Sequence, residues 1–140
     1  ALTTDVIVGF PGEDESAAEN SRDLCSRAGF SRLHVFLFSP PPGTPAAALT
    51  KTTTDDDTES RKALLIDQGH ALAEEFAAGC VGMEERVIVE RSGSGLSDRY
   101  VTVRLADARP GAVERLRITR AEGNALRGER IAERSSPYTG

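Results

Sequence analysis

Three groups of residues have the types and spacing to do chemistry. The first is Gly9-Phe10-Pro11-Gly12-Glu13, which closes a short β-branched run. A glycine at the end of a parallel strand lets backbone approach a ligand, and open α/β sheets bind ligands at that edge. The same residues also suit an ordinary βα turn, with Pro11 rigid and Gly12 at positive φ. The second group is the tail. Residues 83–140 hold 11 basic side chains, all arginine, against 9 acidic ones, whereas residues 1–82 hold 6 against 13. Arginine forks match phosphate oxygens and stack on bases, so a tail of +2 within a chain of −5 points mildly toward nucleic acid. The third group is Cys25 and Cys80, far apart and without a neighbouring Cys or His. A metal cluster needs thiolates gathered by a CxxC or CxxxCxxC run, and none occurs, so both read as buried reduced thiols. His34 lies in an apolar run with no carboxylate nearby in sequence to orient it, and reads as a packed strand residue. No catalytic and no metal-ligating residue is assigned.

These groups need elements to position them. Asp5–Phe10 reads as a strand and Glu13–Ala28 as a helix, with Ala17, Leu24 and Ala28 at helical spacing and Gly29 as its stop. Arg32–Ser39 is a second strand. Strand, helix and strand within about 35 residues predict a βαβ unit with parallel strands and a right-handed crossover. Pro40–Pro45 (PPPGTP) excludes helix and central strand. Asp55-Asp56-Asp57 lacks the spaced partners of a calcium loop and is read as capping a long helix over Thr58–Ala78. That helix has Leu65, Leu72 and Phe76 on one face, and Gly79 and Gly82 end it.

From Glu84 the period changes to two. Arg86–Arg91, Arg99–Ala106 and Val113–Arg120 read as strands, with Leu126–Ile131 a last one. Turns are expected at Ser92–Ser97 and Ala108–Gly111; Gly93-Ser94-Gly95 has no following lysine and is a hairpin turn, not a phosphate loop. Four or five short antiparallel strands predict a small closed or half-closed β-barrel. Alternation puts Arg115 and Arg117 outward, Leu116 and Ile118 inward, and Tyr100 beside Arg104 on one face, with Glu114 and Glu122 placed to pair with the arginines. Two parallel strands cannot cover both faces by themselves, so the first 50 residues read as the end of a larger sheet or barrel.

Composition sets the bounds. A hydrophobic fraction of 39% and a charged fraction of 28% describe a soluble chain of one domain or two small ones. No apolar run approaches the ~20 residues of a membrane span, and no basic-then-apolar leader is present, so no membrane partner and a cytoplasmic location are expected. The start at Ala1, almost directly into a strand and with no initiating Met, predicts a piece of a longer protein.

The segments TDVIVGFPGED (Thr4–Asp14) and GFSRLHVFLFSPPPGTPAA (Gly29–Ala47) resemble the C-terminal half of the radical-SAM methylthiotransferases. Phe38 stands where that family usually has Tyr, and Pro41 where it has Arg. The tail resembles the TRAM domain of these enzymes, through Val87–Arg91, Gly95–Tyr100 and the run from Val113. The resemblance implies α/β followed by all-β. Residues 1–82 would be the last βαβ portion of a partial (β/α) radical-SAM barrel with its long helix. Residues 83–134 would be a small antiparallel, OB-like TRAM barrel, and 135–140 a tail. It implies that Ile7, Gly9, Phe10, Pro11 and Phe36 line an S-adenosyl-L-methionine pocket, and that Arg99, Tyr100, Arg104, Arg115 and Arg117 hold tRNA rather than DNA. Two 4Fe-4S clusters would belong to the intact enzyme, one cleaving adenosylmethionine and one supplying sulfur. Their ligands would lie in N-terminal domains of the same polypeptide, leaving this chain inactive alone. GFSRLHVF is most similar to the threonylcarbamoyladenosine branch, which adds a methylthio group to C2 of that tRNA base. The isopentenyladenosine and ribosomal-protein branches are the alternatives within the family. Outside it stand a standalone RNA-binding module and a non-catalytic protein-interaction fragment.

Overall fold

The structure, a computed structural model, describes residues 1–91 and 93–131. The expected tail 135–140 and the last residues of the expected second domain lie outside the described residues. The chain divides into two compact units after Phe76. No helix among the described residues is long and apolar enough to cross a membrane.

The first unit holds β1 (Thr3–Val8), α1 (Glu15–Ala28), β2 (Arg32–Leu37), a single 3-10 turn at Pro45–Ala48 and the long helix α2 (Asp55–Gly79). β1 and β2 pair in parallel from Thr3↔Arg32 to Val8↔Leu37, as the strand–helix–strand spacing predicts. Among the described residues they form a two-stranded sheet. Val8, Cys25 and Leu65 are buried together, with Val6, Phe30, Leu33, Val35 and Leu72 packed around them. One face of the sheet is thus covered. The other carries Asp5, Ile7, His34 and Phe36, all exposed, because successive strand side chains point to opposite faces.

Two expectations on the helices are corrected. In α1 the buried positions are Ala18 and Cys25, not the stripe Ala17, Leu24 and Ala28; Leu24 is 61% exposed. The rotation of α1 is fixed by tertiary bonds: Gln68 Nε2 donates to the Arg22 carbonyl and to Ser26 Oγ, each at 2.7 Å. Helix α2 begins at Asp55 rather than Thr58. Its cap is Thr54, whose Oγ1 accepts from Asp57 N–H at 3.1 Å, and the three aspartates fill the first turn, where they face the positive end of the helix dipole.

The second unit is a closed barrel of β3 (Glu84–Arg91), β4 (Ser94–Ser97), β5 (Thr102–Arg104), β6 (Val113–Glu122) and β7 (Ala125–Arg130), in the order β3-β4-β5-β7-β6. Its interior is built from Val87, Val89, Val103, Leu116, Ile118 and Leu126. The expectation of purely antiparallel strands is corrected, since β5 and β7 pair in parallel. A closed ring of five strands cannot alternate direction at every step, so one parallel pair is obligatory. Ser94–Ser97 is a strand and not a turn. Gly95 lies flat against β3, where an added Cβ would sit 2.5 Å from the Ile88 carbonyl oxygen. The strand expected over Arg99–Ala106 shrinks to three residues, because Tyr100 and Asp107 take positive φ (58° and 51°) and break it at both ends.

Candidate ligand-facing sheet and nucleic-acid interface

The first candidate site is built on the carboxyl ends of β1 and β2. Ile7 and Phe36 are direct partners across the pair and are 57% and 52% exposed. Beyond them the chain turns at Gly9 (φ 81°), and the Phe10 and Phe38 rings meet edge to face at 4.9 Å between centroids. Phe38 N–H donates to the Val8 carbonyl at 2.8 Å, which holds the two strand ends together past the last ladder residues. The structure therefore gathers Ile7, Phe36 and Phe10 at one end of the sheet, with Phe10 half exposed.

Gly9 itself is buried and turned toward α2. A Cβ there would stand 2.6 Å from Thr58 Cγ2. Its N–H donates to Glu13 Oε2, so the amide is already occupied by the turn's own carboxylate. The turn is held from outside by the segment leading into α2. Gly12 N–H donates to Thr52 Oγ1 at 2.8 Å. Arg61, with its side chain only 12% exposed, donates to the Glu13 carbonyl at 3.0 Å and to Glu15 Oε2 at 3.1 Å. Sequence inspection misses Arg61 and Thr58, because the contacts that make them useful span more than forty residues. Pro11 is partly buried in the same turn.

The groups implied by the resemblance fit this chain unequally. The half-exposed apolar patch of Ile7, Phe10 and Phe36 suits the uncharged surface of an adenosyl group. Among the described residues no three His, Cys, Asp or Glu side chains are grouped so as to hold a metal ion, and Cys25 and Cys80 are both buried.

The second candidate site is the outside of the barrel. Arg99 pairs with Glu85, whose side chain is 1% exposed, so this arginine neutralises a buried charge. Tyr100 is 68% exposed on a tight turn before β5, not on a strand face shared with Arg104. Arg115 and Arg117 both bond to Glu84, at 3.3 and 2.8 Å, because β3 and β6 pair Glu84↔Arg117. The partners expected for them are used elsewhere. Glu114 accepts from Arg130 at 3.1 Å. Glu122 gathers Arg104 at 3.7 Å, Arg120 at 2.7 Å and Arg127 at 3.0 Å. The hydrogen bond from Arg127 is the chief reason the Glu122 carboxyl is held below its ordinary range, with the three positive charges adding to it. Apart from Arg120, two residues before Glu122 on β6, the arginines these acids serve come from other strands, which sequence spacing does not expose.

No protein-family model matches the chain. Among known proteins it is 31% identical over 123 residues to a threonylcarbamoyladenosine tRNA methylthiotransferase of Thermotoga maritima, a match covering 84% of this chain and 28% of that protein. It is 39% identical over 141 residues to a tRNA-2-methylthio-N(6)-dimethylallyladenosine synthase of Cereibacter sphaeroides, covering 93% and 31%. An enzyme of the latter name from Acidothermus cellulolyticus is 33% identical over 143 residues, covering 94% and 29%. The chain thus spans a little under a third of the length of the curated relatives it matches, and those relatives are enzymes of tRNA methylthiolation.

Proposed function

We propose that this chain is the C-terminal portion of a radical-SAM tRNA methylthiotransferase. On this reading residues 1–76 complete a (β/α) barrel whose other strands precede them, and the strand barrel of the second unit grips tRNA. The observation that carries it is the sheet of two parallel strands with an uncovered face. A self-sufficient module has no use for a parallel pair with two open edges and an exposed Ile7–Phe36 couple. Further strands of the same polypeptide would close those edges and turn that face inward. The relatives' greater length supports the same conclusion.

In the intact enzyme Ile7, Phe10 and Phe36 form the apolar wall against which S-adenosyl-L-methionine lies, and Gly9 and Pro11 shape the turn beside it. When bound, that cofactor supplies a radical able to take hydrogen from an inert ring carbon. This chain's own residues orient and exclude water: the Glu13–Gly9 and Arg61–Glu13 bonds keep the turn from moving while the wall stays dry.

The preferred substrate is threonylcarbamoyladenosine in tRNA, on the resemblance of Gly29–Phe36. A second reading, isopentenyladenosine in tRNA, is favoured by the 39% identity to the Cereibacter enzyme. The test is the polypeptide as its host makes it. A mass roughly three times the 14.9 kDa of this chain, with iron and sulfide, is expected. The nucleosides of tRNA from a deletion strain then decide the base: loss of the methylthio group from threonylcarbamoyladenosine alone supports the first reading, and loss from isopentenyladenosine alone supports the second. A host protein of 14.9 kDa without iron refutes both.

A further inference from the structure

Glu122 and the arginines around it lie on a stretch of β6 that breaks the alternation of the strand. β6 pairs with β7 as Ile118↔Gly128 and then Arg120↔Arg127, so one residue of β6 is extra. Strict alternation from buried Ile118 would send Arg120 and Glu122 into the barrel. The bulge turns both outward instead, and re-aiming side chains is what such bulges do. Thr119 Oγ1 fills the irregularity by donating to the Arg127 carbonyl at 3.2 Å.

The register then sets three arginines side by side on three adjacent strands. Arg104 on β5 partners Arg127 on β7, and Arg127 partners Arg120 on β6. With strands ~4.8 Å apart, the row is roughly 10 Å long. Directly opposed like charges repel, and among the described residues a single carboxylate, Glu122, is ion-paired with them. Three guanidinium groups against one carboxylate leave a local charge of +2 on side chains that are 58%, 61% and 44% exposed for Arg104, Arg120 and Arg127. Arg130 and Arg99 are more fully used. Arg130 donates to Glu114 and to the Ala106 and Asp107 carbonyls, and Arg99 is taken by buried Glu85.

We propose that Arg104, Arg120 and Arg127, held in a row by Glu122, form the seat for backbone phosphates of the bound RNA. The inference rests on the reading of the barrel as a tRNA grip and deepens it. Arg120 and Arg127 join Arg104 as contacts, and Arg99 is a structural residue. Glu122 fixes the forks in place while leaving them under-neutralised, so two phosphates replace what the carboxylate cannot supply.

The experiment measures binding of an unmodified tRNA transcript to the 140-residue chain by fluorescence anisotropy across a salt series. Arg120→Gln/Arg127→Gln is expected to weaken binding about tenfold near 0.1 M salt and to make the log–log salt slope shallower by about 1.4, two contacts at ~0.7 each. The charge-matched pair Arg91→Gln/Arg109→Gln is expected to change both far less. Equal losses in the two pairs, or no loss in the first, overturn the proposal while leaving RNA binding by the barrel intact. No binding by the unaltered chain defeats the underlying reading instead. Glu122→Gln keeps an oxygen that can accept from the forks while removing the charge that opposes phosphate. With the variant shown to be folded by circular dichroism, tighter binding is expected; unchanged or weaker binding by the folded variant overturns the proposal.

Discussion

Replacing Gly9 by alanine tests whether the turn between β1 and α1 is locked to α2. Two costs add. Gly9 has φ 81°, and an L-residue there costs about 1 kcal/mol. The new Cβ would also stand 2.6 Å from Thr58 Cγ2, a buried methyl, and overpacking of this kind costs about 1–3 kcal/mol. Gly9→Ala is therefore expected to destabilise the first unit by roughly 2–4 kcal/mol. With a urea slope of about 1 kcal/mol/M for a unit this small, the midpoint falls by roughly 2 M or more. Circular dichroism at 222 nm reads this unit selectively, because nearly all helical residues lie in it and the second unit is built of strands. Thr58→Ser removes the offending methyl and keeps a hydroxyl to donate to the Thr54 carbonyl, as Thr58 does at 2.8 Å. In the double variant the nearest remaining atoms are the hydroxyl oxygen at 3.3 Å and Cβ at 3.6 Å. The steric part is then recovered and the backbone part of about 1 kcal/mol remains. Additive losses in the two single variants, or a Gly9→Ala midpoint equal to that of the parent, would refute the close approach.

Other perturbations probe separate parts of the chain. Arg99→Gln strands the buried Glu85 carboxylate and is expected to destabilise the barrel by about 3 kcal/mol; Glu85→Gln on top of it restores much of the loss, as read from urea midpoints at barrel amide resonances. Glu122 has its carboxyl held low in the folded state, so the unfolded chain takes up the proton first as pH falls. Its contribution is present above the ordinary carboxylate range and is lost as pH drops below it, and Glu122→Gln is expected to flatten that acid limb of a Tm-versus-pH curve for the barrel. Burial pushes the Cys25 thiol up, so iodoacetamide should label it slowly at pH 7.5 and quickly once urea unfolds the first unit; rapid native labelling would contradict its packing against Val8 and Leu65. Phe36→Ser changes a side chain 52% exposed and is expected to leave the stability of this chain within about 0.5 kcal/mol, as read from its urea midpoint.

The elements themselves were legible in the residues. The β-branched run before Gly9, the Gly29 stop, the proline block at 40–45 and the change to period two after Glu84 each state a local backbone preference, and β1, α1, β2, α2 and the barrel strands other than β4 follow from them. The parallel pairing of β1 and β2 was legible as well, since a helix lies between them and parallel strands need such a crossover. What escaped sequence reading is set by partners distant along the chain. The face α1 buries is chosen by Gln68, 42 and 46 residues away from the groups it binds. The parallel β5–β7 pair follows from closing a ring of five strands. The outward turn of Arg120 and Glu122 comes from one extra residue in β6, which no alternation pattern announces. Local sequence thus determined which segments become strand or helix, because backbone propensity and side-chain period act over a few residues. Only the tertiary structure decided which arginines share a carboxylate, because register, bulge and closure are properties of paired strands and not of any one of them.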